Sequence, residues 1–231
     1  MAEQNRFWCI EHLDLSEFLT QAERDQMHQL MKFVEYKAGE TIFFPGDSSD
    51  TVYLIRKGKV RLAYLDESGK RLTLSIVGRG QVFGETALAA EEQRKWIAEA
   101  MEDATLCIMY KKDFLRFAAG NPKFSLSISA MIGSRLEEIE NKIEDLIFKD
   151  VTTRLCRTLL NLARDYGEES ANGIKIGLKL THQELAYLIG STRETTSLKL
   201  NELEHMDVLE KGRGKIVIKD EEKLRELADA F

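Results

Sequence analysis

The stretch "LTHQELAYLIGSTRETTSLKLNELE", Leu180 to Glu204, decides how the chain is read. Two helix starts are written into it, ten residues apart. Thr181 with Glu184, and Ser191 with Glu194, each have the S/T-x-x-E spacing of a capping box, in which a hydroxyl and a carboxylate satisfy amides that a helix N-terminus leaves bare. Gly190 falls between them, so the first helix has room for only about two turns. A short helix, a glycine turn and a longer second helix make a helix-turn-helix, which presents the first residues of its second helix to the DNA major groove.

Working outward, "VLEKGRGKIVIKDEEKL" reads as a two-strand hairpin turning at Gly212-Arg213-Gly214. Such a wing places Lys211, Arg213 and Lys215 where they can touch phosphate. Upstream lie a helical stretch, "FKDVTTRLCRTLLNLARDYGEE", and a short strand, "GIKIGLKL". Before these, "NPKFSLSISAMIGSRLEEIENKIEDLIF" begins at Pro122, a residue suited to a first helical turn, and only Gly133 interrupts it. Its apolar positions Ile132, Leu136, Ile139, Ile143 and Leu146 step by four, three, four and three, with Ile128 one step further back. This is a heptad seam flanked by Glu and Lys, the pattern of a helix that packs on its twin. Fewer than four heptads also fit an amphipathic helix lying on its own domain.

The N-terminal half has another texture. A helical pattern covers Ser16 to Phe33, and from Val34 to about Met109 short apolar runs are cut by glycine. Strand-length segments near 41–44, 51–55, 59–65 and 71–77 are parted by Gly39, Pro45-Gly46, Lys57-Gly58, Ser68-Gly69 and Gly78/Gly80, and "ATLCIMY" adds a further strand. That spacing implies a small β-sandwich or barrel. The expected class is α+β, with a β-roll over 1–121, a long helix over 122–149 and a winged helix-turn-helix over 150–231.

Composition narrows the function. With 43% hydrophobic residues, 231 residues can bury the cores of two modest domains. No window approaches the roughly 20 apolar residues of a membrane span, so a cytoplasmic protein with no membrane partner is expected. Cys9, Cys107 and Cys156 are scattered without C-x-x-C spacing, which suggests neither a disulfide framework nor a metal centre. A redox role for Cys107 or Cys156 stays open. The net charge of −6 argues against holding nucleic acid by bulk electrostatics. From Val151 onward, however, thirteen Lys and Arg stand against fourteen Asp and Glu, so a local basic face remains available there.

The order of β-roll, long helix and winged helix-turn-helix resembles the cyclic-AMP receptor protein and FNR (CRP/FNR) family of bacterial transcription regulators. The resemblance covers most of the chain and is strongest in "FKDVTTRLCRTLLNLA", in the opening stretch, and in "VFGE" with the glycines before it. It implies a double-stranded β-helix (jelly-roll-like) sensor roll, a dimerisation helix and a DNA-binding domain. It also implies that Arg193 pairs with guanine and that Glu194 accepts from a cytosine amino group, pairings that base-edge geometry supports. Leu198 stands where well-known members carry a second guanine-reading arginine; its best base contact is a thymine methyl. Thr195 and Ser197 share that helix. Lys199 reaches a phosphate or is simply solvated. Thr181, His182 and Gln183, at the start of the first helix, are placed to bond phosphate, although His182 equally fits an idle exposed imidazole.

In the roll, the resemblance matches Gly84 and Glu85 to a ribose-binding turn and Arg94 to a phosphate-binding arginine. A bland reading, with Glu85 bonding turn amides and Arg94 a structural charge, stands beside it. Lys95 replaces the small hydroxyl residue of cyclic-AMP binders, and Ile139 and Glu140 replace their adenine-contacting hydroxyls. Each lost partner in a buried site costs about 1–3 kcal/mol, so cyclic AMP is not the expected effector, and no cofactor is expected. The N-terminal cysteine cluster of an FNR-type iron-sulfur centre is absent. Haem held by His12, His28 or Cys9 rests on scattered ligands, and no metal site is read.

The resulting expectation is a homodimer that regulates transcription at palindromic promoter sites without cyclic AMP, with RNA polymerase as a further partner and no enzymatic activity. Its alternative is a regulator answering cyclic AMP, haem, redox or another small effector. A metal enzyme of the cupin sort needs clustered His and carboxylate ligands that the roll lacks. A C-terminal domain that binds protein is the remaining rival, favoured slightly by the acidic "NELEHMDVLE".

Overall fold

The glycines that punctuate the N-terminal half become strand ends in the computed structural model, which describes residues 19–67, 69–88, 93–212 and 214–229. Eight strands form there: β1 (Lys32–Tyr36), β2 (Thr41–Phe43), β3 (Thr51–Lys57), β4 (Val60–Leu65), β5 (Arg71–Val77), β6 (Val82–Phe83), β7 (Ile97–Ala100) and β8 (Ala104–Tyr110). They pair antiparallel into two four-stranded sheets, ordered β1-β8-β3-β6 and β2-β7-β4-β5. Gly58, at φ 86°, makes the turn between β3 and β4; a Cβ there would lie 2.7 Å from the Ala104 backbone, so no other residue fits.

Alternation along the strands gives the first sheet two dry faces. Tyr53, Ile55, Phe83 and Leu106 point toward the second sheet and pack with Val60 and Leu62. Val52, Leu54, Val82 and Met109 point the other way, against α1 (Gln21–Leu30), α2 (Lys111–Gly120) and the start of α3 (Pro122–Phe148). Phe124 of α3 is fully buried, 5.3 Å from the Phe114 ring and 5.0 Å edge-on to Phe117. Ile128 is 6% exposed in the same cluster. It therefore belongs to the core of the roll and not to the heptad seam in which its spacing had placed it.

Several elements lay below what periodicity detects. β7 carries Glu99 in the middle of four residues, and Arg61 at 2.7 Å and Arg71 at 3.0 Å from neighbouring strands hold that carboxylate. The first helix is also shorter than its apolar spacing implied. Thr20 and Glu23 form a capping box at its start, and from Lys32 the chain pairs with β8. Ser16, the expected first residue, lies outside the described residues.

The second compact unit runs from Glu138 to the C-terminus. It holds α4 (Val151–Tyr166), β9 (Gly167–Ser170), β10 (Gly173–Ile176), α5 (His182–Ile189), α6 (Arg193–His205), β11 (Leu209–Gly212), β12 (Lys215–Ile218) and α7 (Glu221–Asp229), with one sheet ordered β11-β12-β10-β9. Asp150 caps α4 by accepting from the Thr153 amide at 2.8 Å. Leu155, Cys156 and Leu159 bury one face of α4 completely. Arg157 donates to the Ala228 carbonyl at 3.0 Å, which ties α4 to α7.

The cysteines divide. Cys107, whose spacing from the other cysteines suggested no disulfide, is disulfide-bonded. Cys156 is free and fully buried, and burial first, then the nearby Asp150 charge, push its thiol up to about 12. A thiol so far from ionisation is a poor nucleophile and a poor oxidant sensor. In the native protein at pH 8, iodoacetamide should leave Cys156 unmodified over hours and alkylate it within minutes in denaturant, as read by peptide mass spectrometry. Rapid native labelling would contradict this burial.

Candidate nucleic-acid interface

Local hydrogen bonds set the angle at which α6 emerges from the turn. At α5 the expected capping box forms: the Thr181 hydroxyl accepts from the Glu184 amide at 3.2 Å, and the Glu184 carboxylate accepts from the Thr181 amide at 2.7 Å. Gly190 closes α5 in the left-handed region, at φ 62° and ψ 46°. The second box does not form. The Ser191 amide donates back to Ala186 O at 3.0 Å, so Ser191 still belongs to the preceding turn. Thr192 caps α6 instead, accepting from the Thr195 amide at 3.1 Å. Glu194 is thereby released from capping and stays exposed.

Thr196, Leu200 and Leu203 bury the inner face of α6. The outer face carries Arg193 and Glu194, both exposed and without hydrogen-bond partners among the described residues, and Leu198, which is 56% exposed. Ser197 lies between them and meets His182 across the turn, with its Oγ 2.7 Å from the imidazole Nδ1. Partial burial, then the charges of Lys211 and Arg193, pull the His182 pKa below its usual value. His182 is therefore neither idle nor simply exposed.

Other expected contacts are already engaged within the chain. The Thr181 hydroxyl serves its cap, the Thr195 hydroxyl accepts from Thr192 at 3.0 Å, and Lys199 pairs with Glu202 at 2.7 Å. Lys211 is bound to α6: its Nζ lies 3.0 Å from the Glu204 carboxylate and also bonds Asn201, while its amide donates to Glu204 at 3.1 Å. Instead of reaching outward, it pins the strand β11 to α6. Gln183 is half-buried on α5, and Lys215 is exposed on β12. Arg213 lies outside the described residues.

The residues matched to an effector pocket are turned inward. Arg94 is 3% exposed, and its guanidinium donates to Gly84 O at 3.1 Å and to the carbonyl and hydroxyl of Thr51. It also lies over the Phe43 ring at 4.6 Å, and burial lowers its pKa. Gly84, at φ 78°, sits in a conformation that favours glycine, and a Cβ there would press on Tyr53 at 3.0 Å and on Arg94 Nη1 at 3.1 Å. Glu85 accepts from Arg135 of α3 at 2.7 Å, and Arg135 also donates to Val82 O at 2.9 Å. Sequence reasoning missed Arg135, because a lone cation beside a heptad position reads as solvated. Lys95 is exposed on the roll, and Ile139 and Glu140 are exposed on α3.

Among the described residues no group of His, Cys, Asp and Glu is arranged to hold a metal ion. His28 is buried in the roll, and His205 lies at the end of α6. His12 and Cys9 lie outside the described residues. No described helix is long and apolar enough to cross a membrane.

Comparison with known proteins agrees with this architecture. Residues 33–121 match the family model of the cyclic nucleotide-binding domain, and residues 153–227 match that of the Crp-like helix-turn-helix domain. The chain is 32% identical to the cyclic AMP receptor protein of Thermus thermophilus, over 84% of this chain and 86% of that one. It is 34% identical to the global nitrogen regulator of a Nostoc species, over 79% and 83% respectively. A crystal structure of a CRP/FNR-family transcriptional regulator from Thermus thermophilus superimposes with a TM-score of 0.74 at 32% identity, covering 86% of this chain and 99% of that one. With its β-rich nucleotide-binding-type domain, long helix and Crp-like helix-turn-helix, the chain belongs to the CRP/FNR family of DNA-binding transcription regulators, which are not enzymes.

Proposed function

We propose that this protein is a homodimer that reads palindromic promoter DNA in the cytoplasm, contacts RNA polymerase there, and does so without cyclic AMP. The observation that carries the reading is the outer face of α6. Arg193, Glu194 and Leu198 project from a helix whose other side is locked by Thr196, Leu200 and Leu203. Arginine pairs bidentately with guanine, glutamate accepts from cytosine, and leucine packs on a thymine methyl. Two-fold symmetry then calls for half-sites about one helical turn, roughly 34 Å, apart. Dimerisation is supported by Ile132, Leu136, Ile139 and Ile143, each 38–55% exposed along α3. Thr181, Gln183, Thr195, Lys199 and Arg213 are assigned to the border of the contact.

Independence of cyclic AMP is supported by Arg94, whose hydrogen bonds go to backbone and Thr51 and not outward, and by Arg135, which occupies Glu85. The relatives do not choose an effector, since one is named for cyclic AMP and another for nitrogen. One observation favours a different small ligand: Glu85 Oε2 is buried with no hydrogen-bond partner among the described residues, an acceptor that a donor-bearing effector could use.

Arg193→Ala should weaken binding to a selected palindrome at least tenfold, from about 1–3 kcal/mol per lost guanine contact, with circular dichroism unchanged. Leu198→Arg should move preference at one symmetric pair of positions from A·T toward G·C. Fluorescence anisotropy at fixed salt reads both; unaltered affinity in Arg193→Ala would favour a protein-binding role for the C-terminal unit.

Cyclic AMP at 1 mM, about a thousandfold above a micromolar site, should leave that affinity within twofold. A large gain would mean that the Arg94 and Glu85 contacts open for the nucleotide.

A further inference from the structure

His182 opens α5 and Ser197 lies one turn into α6, yet their polar atoms are 2.7 Å apart. Ser197 stands on the same stripe of α6 as Arg193, Glu194 and Leu198, the stripe assigned above to base edges, and the inference rests on that assignment. We propose that His182 and Ser197 form one specificity-determining unit, in which the protonation state of His182 sets whether the Ser197 hydroxyl offers a base edge an acceptor or a donor.

The chemistry follows from hydrogen-bond inventory. A neutral imidazole protonated on Nε2 accepts at Nδ1, so the Ser197 hydroxyl donates to it and leaves its own lone pairs outward. Those lone pairs suit an amino group, on cytosine N4 or adenine N6. An imidazolium instead donates from Nδ1 to the Ser197 oxygen, which frees the hydroxyl proton for guanine O6 or N7, or thymine O4. One proton taken from solvent thus inverts what the same serine reads. The second nitrogen, Nε2, carries a proton in both states and suits a phosphate oxygen.

The charged groups that bear on the imidazole are Lys211 from β11 and Arg193 from α6, with Glu204 of α6 paired to Lys211. Partial burial first, then both cations, lower the His182 pKa below its usual value in the free protein, which favours the neutral imidazole. Bound DNA brings phosphate charge of the opposite sign, which favours proton uptake. Protonation is therefore a property of the complex at mildly acid pH, and the acceptor state is the one read at neutral pH.

The test is selection of sites from a randomised palindromic duplex pool at pH 8.0 and pH 5.5, using the full chain, His182→Gln, Ser197→Ala and Arg193→Ala. The wild type should change its base preference about fivefold between the two pH values at one symmetric pair of positions, the yield of a single hydrogen bond gained or lost. Both His182→Gln, which keeps a polar side chain without titrating, and Ser197→Ala should lose that shift while still selecting a palindrome. A wild-type site that is the same at both pH values, or a shift that persists in Ser197→Ala, overturns the inference while selection lost only in Arg193→Ala leaves DNA reading standing. If the wild type selects no palindrome at either pH, both fall together.

Discussion

Exposed apolar surface along one helix is the constraint on which the rest of this molecule depends. α3 begins dry, with Phe124 and Ile128 sealed into the roll, and then leaves Ile132, Leu136, Ile139 and Ile143 largely open. Each such side chain gains about 1.5–3 kcal/mol when fully buried. Four in one row make a stripe that water does not tolerate cheaply and that a heptad repeat fits to its own twin. In the proposed dimer this single stripe fixes the two-fold axis. A two-fold dimer of this kind calls for a target with the same two-fold symmetry.

The sensor side is governed by competition for a few charged groups. In a buried site a guanidinium has a fixed number of donors, and those of Arg94 that bond Gly84 and Thr51 are not offered to a ligand. Arg135 treats Glu85 in the same way, from the helix that carries the seam. Under the proposed function, a contact that an effector makes in other regulators is replaced here by a side chain of the protein itself. An effector that does act on this roll has to bind the DNA-competent state better than the alternative, and breaking the Arg135–Glu85 pair is part of what it must offset.

Elements with strong local grammar were legible in the sequence, and those decided by long-range neighbours were not. The α5 box, the Gly190 turn, the start of α3 at Pro122 and most strands of the roll follow from caps and glycine punctuation. The Ser191 box failed because its spacing is local while its amide is claimed by Ala186, a residue of the helix before. β7 was hidden by a charge that only Arg61 and Arg71, far away in sequence, render tolerable. Ile128 fits the heptad register, but the roll reaches it first. The pairing of His182 with Ser197 spans fifteen residues and a turn, and no spacing rule connects them. Arg135 and Lys211 show the same limit: a surface cation is recognised as a clamp only once its carboxylate partner is in place.

The central claim, that two chains joined along α3 read one palindrome, is tested most directly by native mass spectrometry of the protein with a selected palindromic duplex and with the same duplex cut to one half-site. The account predicts two chains on the intact site at all protein concentrations that give binding, and at least a hundredfold weaker binding to the single half-site. One chain bound per duplex, or equal affinity for the intact and halved sites, would contradict it.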